Sequence, residues 1–187
     1  MEDFRGLTIY SNGLVRILES VVKIFPPVLD ITKGPDRTTA DLRGIWDTGA
    51  SGTMITQLVV DELGLHPIGK TDVHHADGVT NSPVFLVDLQ LPMNVVMQGL
   101  NVTLGKLPAG FDVLIGMDVI TQGDFAITNV GGVTNMSFRV PSCERIDYVK
   151  DSREINEARQ QRAQRISAKT APPIHGHRAN PKKKRRR

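Results

Sequence analysis

Asp47, Thr48 and Gly49 follow an apolar pair, Ile45-Trp46, and run on into Ala50, Ser51 and Gly52. A carboxylate at the point where a buried strand turns is costly unless it is hydrogen-bonded or put to chemical use. Thr48 brings a hydroxyl that can close the turn, and Gly49 lets other backbone come close. A carboxyl group held in this way can serve as a general acid or base. Taken alone, Asp-Thr-Gly is also a good turn sequence in which the aspartate merely caps the turn.

A second element sharpens the reading. About sixty-five residues later the chain reads Val113-Leu114-Ile115-Gly116-Met117-Asp118, an apolar strand ending in glycine. Asp-Thr-Gly-Ala-Ser after apolar residues, then a glycine-bearing hairpin, then apolar-apolar-Gly before a short helix, resembles the retropepsin family of aspartic proteases. The resemblance runs from Leu14 to Val140 with the order and spacing of elements intact, and it points to a cellular or bacterial branch. It implies that Asp47 is the catalytic aspartate. Thr48 takes the position that meets its counterpart from a second subunit, and Gly49 the position whose backbone meets an extended substrate, with Ala50 beside it. Leu114, Ile115 and Gly116 take the place of the strand that crosses behind the catalytic turn. The turn at Ala76, Asp77, Gly78 and Val79 becomes the flap over bound peptide. Many retroviral members have Asp where this chain has Ser51, and Arg where it has Met117, and there the two form an ion pair. Both partners are missing here, so neither charge is left unpaired.

Peptide hydrolysis of this type needs two carboxylates sharing one proton, because two like charges in contact cannot both ionise. The chain has a single Asp-Thr-Gly. Asp112, Asp118 and Asp124 lie in no comparable turn, and Asp118 suits a helix start. A two-fold homodimer would supply Asp47 twice. Such chemistry requires no metal and no organic cofactor, and its substrate is a protein or peptide.

The elements that must position Asp47 read as an all-β domain: a retropepsin-like closed barrel or sandwich with one or two short helices, spanning residues 1–141. Leu7 to Tyr10 and Leu14 to Leu18 flank Asn12-Gly13 and suggest a hairpin. Val21 to Phe25 is a strand ended by Pro26-Pro27, and Thr32 to Thr39 reads as a loop. Ile55 to Leu63 has helical spacing with Gly64 as a stop. Asp72 to Val87 suggests a second hairpin, Val84 to Leu91 and Leu100 to Leu104 add alternating strand, and Met117 to Thr121 a brief helix. Phe125 to Thr128 and Val133 to Val140 form a last hairpin around Gly131-Gly132.

Charge divides the chain. Residues 1–141 carry 9 Lys and Arg against 15 Asp and Glu, a net of −6, whereas residues 142–187 carry 14 against 5, a net of +9. The second segment reads as a charged, largely disordered tail: 151–168 is rich in Glu, Arg and Gln, open to a solvated helix but without an apolar stripe with which to dock on the body, and 182–187 is an unbroken basic run. That run is open to several uses: solubility, a nonspecific hold on RNA or DNA phosphates, nuclear import in a eukaryotic host, folding back on the acidic body, or removal by the protease itself.

Cys143 is the only cysteine, so no internal disulfide forms. Long apolar runs are broken by Pro, Lys or Gly, so no membrane span is expected. The acidic Met1 to Arg5 lacks the layout of a secretory signal. The expected location is the cytoplasm. His74 and His75 are adjacent and would face opposite sides of a strand, and His175-Gly176-His177 lacks further ligands, so neither pair suggests a metal site. Two functions follow. One is a homodimeric aspartic endopeptidase. The other is a non-catalytic retropepsin-like binding or scaffold module whose basic tail holds nucleic acid.

Overall fold

The computed structural model describes residues 3–27, 41–75 and 78–170. The chain divides between Glu144 and Arg145 into two compact units, a β-rich body and a helical segment.

Ten strands lie among the described residues of the body. They are β1 (Arg5–Tyr10), β2 (Leu18–Phe25), β3 (Leu42–Trp46), β4 (Met54–Ile55), β5 (Gly69–His75), β6 (Gly78–Leu91), β7 (Val95–Leu104), β8 (Val113–Ile115), β9 (Asp124–Thr128) and β10 (Asn135–Val140). Two short helices interrupt them, α1 (Gln57–Glu62) and α2 (Met117–Ile120). Seven strands run in the order β2-β3-β8-β4-β7-β6-β5, and a further β2–β6 pairing closes the first six into a barrel. Closure removes exposed edges that would otherwise invite pairing with other chains. The remaining three form a small sheet, β1-β10-β9. The all-β fold is thus the one expected.

Period-two alternation explains the core. Ser20, Val22 and Ile24 of β2 point inward, as do Leu42, Gly44 and Trp46 of β3. They meet Ile55, Val87, Leu89, Val102, Val113 and Ile115 in one apolar cluster. Alternation on β7 changes phase at Gly99: Val95 and Met97 are buried before it, Leu100 and Val102 after it. The pairing register slips at the same place, with Val87 opposite Leu100 but Leu89 opposite Met97. Gln98 and Gly99 therefore stand against Asp88 alone, a bulge that Gly99 accommodates at φ 65°. The buried Asp88 carboxylate accepts the Gly99 N–H at 2.9 Å.

Three expectations need correction. The segments around Asn12-Gly13 do not form a hairpin: β1 pairs with β10, and β2 with β3. The buried Thr134 is the reason, because it holds the bend from both sides. Its carbonyl accepts from Ser11 N, its N–H donates to Gly13 O, and its hydroxyl oxygen accepts from Val15 N. Ile55 belongs to β4 rather than to a helix, and α1 begins at Gln57. The segment 151–168, expected to be disordered, lies within a third helix, α3 (Tyr148–Thr170). Its Glu, Gln, Arg and Ala residues favour helix intrinsically. Asp147 accepts the N–H groups of Val149 and Lys150 at 3.0 and 3.1 Å as its cap. The proposed loop at 32–39 lies outside the described residues, as does the basic run at 182–187.

No helix in the described residues is long and apolar enough to cross a membrane.

Candidate active site

Asp47 stands one residue beyond β3, where the chain leaves the barrel. Its approach is fixed by parallel pairing with β8, in which Ile45 lies opposite Leu114 and Trp46 opposite Ile115. The ladder continues one step further, because Asp47 N donates to Ile115 O at 3.0 Å. Trp46 anchors the strand from inside. Its ring stacks on Phe125 with centroids 5.5 Å apart and meets Phe138 at the same distance, and its Nε1–H donates to Ser20 Oγ at 2.9 Å. A large side chain held on three sides sets the direction in which the next residue leaves the strand.

The turn then closes on the carboxylate. Gly49 N donates to Asp47 Oδ1 at 2.8 Å, and Ala50 N to Asp47 O at 3.3 Å. A donor aimed at one carboxylate oxygen fixes the side chain while the other oxygen stays available for chemistry. Asp47 is half-buried, Thr48 and Gly49 are exposed, and Ala50 is half-buried. Thr48 and Gly49 are therefore accessible beside the carboxylate.

The strand β8 supports this turn from behind through its exit into α2. Met117 N donates to Ala50 O at 2.8 Å, and Asp118 N to Ser51 O at 3.2 Å. Gly116 is required for so close a crossing. A Cβ there would lie 2.6 Å from the carbonyl carbon and oxygen of Gly52. Leu114, Ile115 and Gly116 thus lie against the Asp47 turn. Ser51 and Met117 are both partly or fully accessible and make these ties through backbone alone.

The hairpin β5–β6 carries the segment assigned as a flap. Its strands pair as far as His75 opposite Gly78, and Gly78 has φ 129°. Val79 is exposed. Ala76 and Asp77 lie outside the described residues. His74 is exposed, and no cluster of His, Cys, Asp or Glu among the described residues could hold a metal ion.

The three acids set aside as a second carboxylate are all engaged as acceptors. Asp112 receives Arg43 N at 2.9 Å. Asp118 receives Thr53 N at 2.9 Å and the Thr53 hydroxyl at 2.8 Å. Asp124 receives Arg139 at 2.6 Å, Cys143 N at 3.0 Å and Glu144 N at 3.2 Å, together with the Ser142 hydroxyl. The Cys143 N–H, then Ser142 and Arg139, hold the Asp124 carboxyl well below the usual carboxylate range, and the Arg139 guanidinium is raised in turn, chiefly by Asp124. Neither the Asp118–Thr53 pair nor the Asp124 cluster was anticipated. Contacts of side chains 65 and 15–20 positions apart leave no periodic signal in a sequence.

Comparison with known proteins adds an independent line. The family described as aspartyl protease matches residues 36–119, which span the Asp47 turn, the β5–β6 hairpin and β8. Among solved structures, the chain is similar to a retropepsin-like aspartic protease from Rickettsia conorii. That match has 11% identity and a TM-score of 0.44, and covers 74% of this chain and 94% of that one. No curated protein sequence matches. The Asp47 turn, seated on β3 and β8, thus lies inside the segment that is similar to the aspartyl protease family.

Proposed function

We propose that the chain is an aspartic endopeptidase whose active site forms when two copies bring their Asp47 turns together. The observation that carries this reading is the Asp47 carboxylate itself, pinned through one oxygen by Gly49 N at the mouth of a buried strand. Across a two-fold axis the two carboxylates would share one proton. The ionised member takes a proton from a bound water as its oxygen attacks the scissile carbonyl carbon. The protonated member gives its proton to the carbonyl oxygen. Collapse of the resulting diol breaks the C–N bond, and the amine leaves with a proton returned from the dyad.

Leu18 pairs with Trp46, so the residues just before Leu18 run beside the Asp47 turn. Leu14, Val15 and Ile17 are exposed there. Such an apolar margin suits an extended peptide or a second copy. The β5–β6 hairpin would close over the peptide. No metal or organic cofactor takes part.

A second role for the basic end is supported by α3. Arg159, Arg162 and Arg165 are exposed and spaced three residues apart, so they lie along one side of the helix. Guanidinium groups pair well with phosphates, and the helix lacks the apolar face that a membrane surface would require. A nonspecific hold on RNA or DNA by α3 and the run 182–187 therefore fits as an accessory, or as the main function if the body is only a binding module.

Cleavage of a peptide library, read by mass spectrometry from acidic to neutral pH at several protein concentrations, tests the proposal. Cutting that requires Asp47 and rises steeply with concentration is the expected result. A folded, dimeric protein that cuts nothing at any pH would leave the binding module as the function.

A further inference from the structure

Ser51, Gly52 and Thr53 lead from the Asp47 turn to β4, and they are stitched to the β8–α2 junction by a small hydrogen-bond circuit. Thr53 is at its centre and only 1% exposed. Its hydroxyl oxygen accepts Gly116 N at 3.2 Å, while the single hydroxyl proton goes to Asp118 Oδ1 at 2.8 Å. Thr53 N donates to the other oxygen, Asp118 Oδ2, at 2.9 Å, and Val119 N donates to Oδ1 at 3.0 Å. Every proton direction in the circuit is fixed, because Gly116 N, Thr53 N and Val119 N can only donate. The carboxylate of Asp118 is therefore used purely as an acceptor, at both oxygens.

We infer that Asp118 is a positioning residue for the Asp47 turn, acting through Thr53. The inference rests on the peptidase reading above. Asp118 fixes Thr53, and Thr53 ends the loop whose other points are tied to the same junction, Ala50 O to Met117 N and Ser51 O to Asp118 N. Asp47 N is tied one residue upstream, to Ile115 O. The turn is thus held at its start by β8 and at its end by the first residues of α2. Among the described residues no ion pair joins this loop to α2, and the Asp118–Thr53 contact is a side-chain link across it. A loop released at Thr53 lets the Asp47 carboxylate drift from the dyad, and displacement on the scale of an ångström has large consequences for rate.

Asparagine cannot replace Asp118 cleanly. Whichever way its amide is turned, its NH2 group meets either Thr53 N–H or Val119 N–H, donor against donor. The test compares wild type, Asp118→Asn, Thr53→Val and Thr53→Ser by steady-state kinetics and pH–rate profiles, with sedimentation measurements fixing a concentration at which each is dimeric. The expected result is a kcat about 10- to 100-fold lower for Asp118→Asn and Thr53→Val, with KM changed by less than about threefold. The pH–rate limbs move in both, since the dyad's titration depends on how its two carboxylates meet. Thr53→Ser, which keeps the hydroxyl, restores both kcat and profile. A core variant away from the turn, Val102→Ala, serves as a control that lowers stability without moving the profile. Unchanged kcat and profile in folded, dimeric Asp118→Asn and Thr53→Val would overturn the inference while leaving the peptidase reading intact. Wild type without Asp47-dependent cleavage would overturn both.

Discussion

The indole Nε1–H of Trp46 donates to the hydroxyl of Ser20 at 2.9 Å, and both residues are buried. The bond spans β2 and β3 one residue before the Asp47 turn, while the same indole stacks on Phe125 of the three-stranded sheet. A single side chain thus ties the barrel, the small sheet and the origin of the candidate active site together. Ser20→Ala leaves a buried N–H without its acceptor and should cost about 1–3 kcal/mol. Denaturant unfolding followed by Trp46 fluorescence measures it, since Trp46 is the only tryptophan. A midpoint equal to that of wild type would show that the bond contributes nothing.

Asp47→Asn should leave folding stability within about 0.5 kcal/mol of wild type. The side chain is only half-buried, and the amide oxygen can still accept Gly49 N. Peptide cleavage should fall by at least about 10⁴-fold, because an amide can neither accept the proton of the attacking water nor share one with its partner. Equal cleavage by the two proteins would show that Asp47 is not the catalytic group.

Gly116→Ala and Gly123→Ala test the two tightest backbone approaches. A Cβ at Gly116 would lie 2.6 Å from Gly52 backbone, and one at Gly123 only 2.0 Å from Arg139 O. Neither neighbour is the end of a flexible side chain, so backbone must move. Each substitution should destabilise by about 3 kcal/mol. Gly116→Ala should in addition depress cleavage in the fraction that remains folded, because its neighbour belongs to the loop after Asp47. Thermal unfolding beside activity per folded molecule separates the two effects.

The parts of this molecule that were legible beforehand are those with a local signature. The Asp47 turn, β8 and its glycine, and the β5–β6 hairpin each declare themselves through adjacent residues. What failed to show depended on distant partners. Asn12-Gly13 has good hairpin chemistry, yet Thr134, more than 120 positions away, captures the bend. The phase change on β7 comes from a bulge against Asp88, and within Val95 to Leu104 only Gly99 hints at it. The helix α3 was legible only as an alternative to disorder. It has no apolar stripe, so its formation rests on intrinsic propensity and the Asp147 cap rather than on packing.

Removal of the charged segment should depend sharply on where the chain is cut. Ending it after Glu144 keeps every partner of Asp124 and should leave the unfolding midpoint of the body unchanged. Ending it after Pro141 removes Ser142, Cys143 and Glu144, three of the groups that converge on Asp124, and should lower the midpoint. Both truncations should abolish retention on immobilised RNA or DNA, whereas the full chain should elute with a steep dependence on salt. Equal midpoints for the two truncations would show that the Asp124 cluster does not anchor the end of the body.

The same cluster sets a pH dependence. The Asp124 carboxyl is held below its unfolded value, which is near 4. A lowered carboxyl stabilises the folded state fully above its unfolded pKa, and that contribution fades as pH falls from there toward the folded value. Asp124→Asn removes it at every pH while keeping one oxygen as an acceptor. The difference in unfolding midpoint between wild type and Asp124→Asn should therefore be constant from pH 7 to about 5, and shrink steadily from about pH 4 downward. Arg139 stays charged throughout this range and adds no slope of its own. Urea unfolding at half-unit pH steps supplies the measurement. A difference that stays flat to pH 2 would mean that Asp124 stabilises through geometry alone, with no preference for its ionised form.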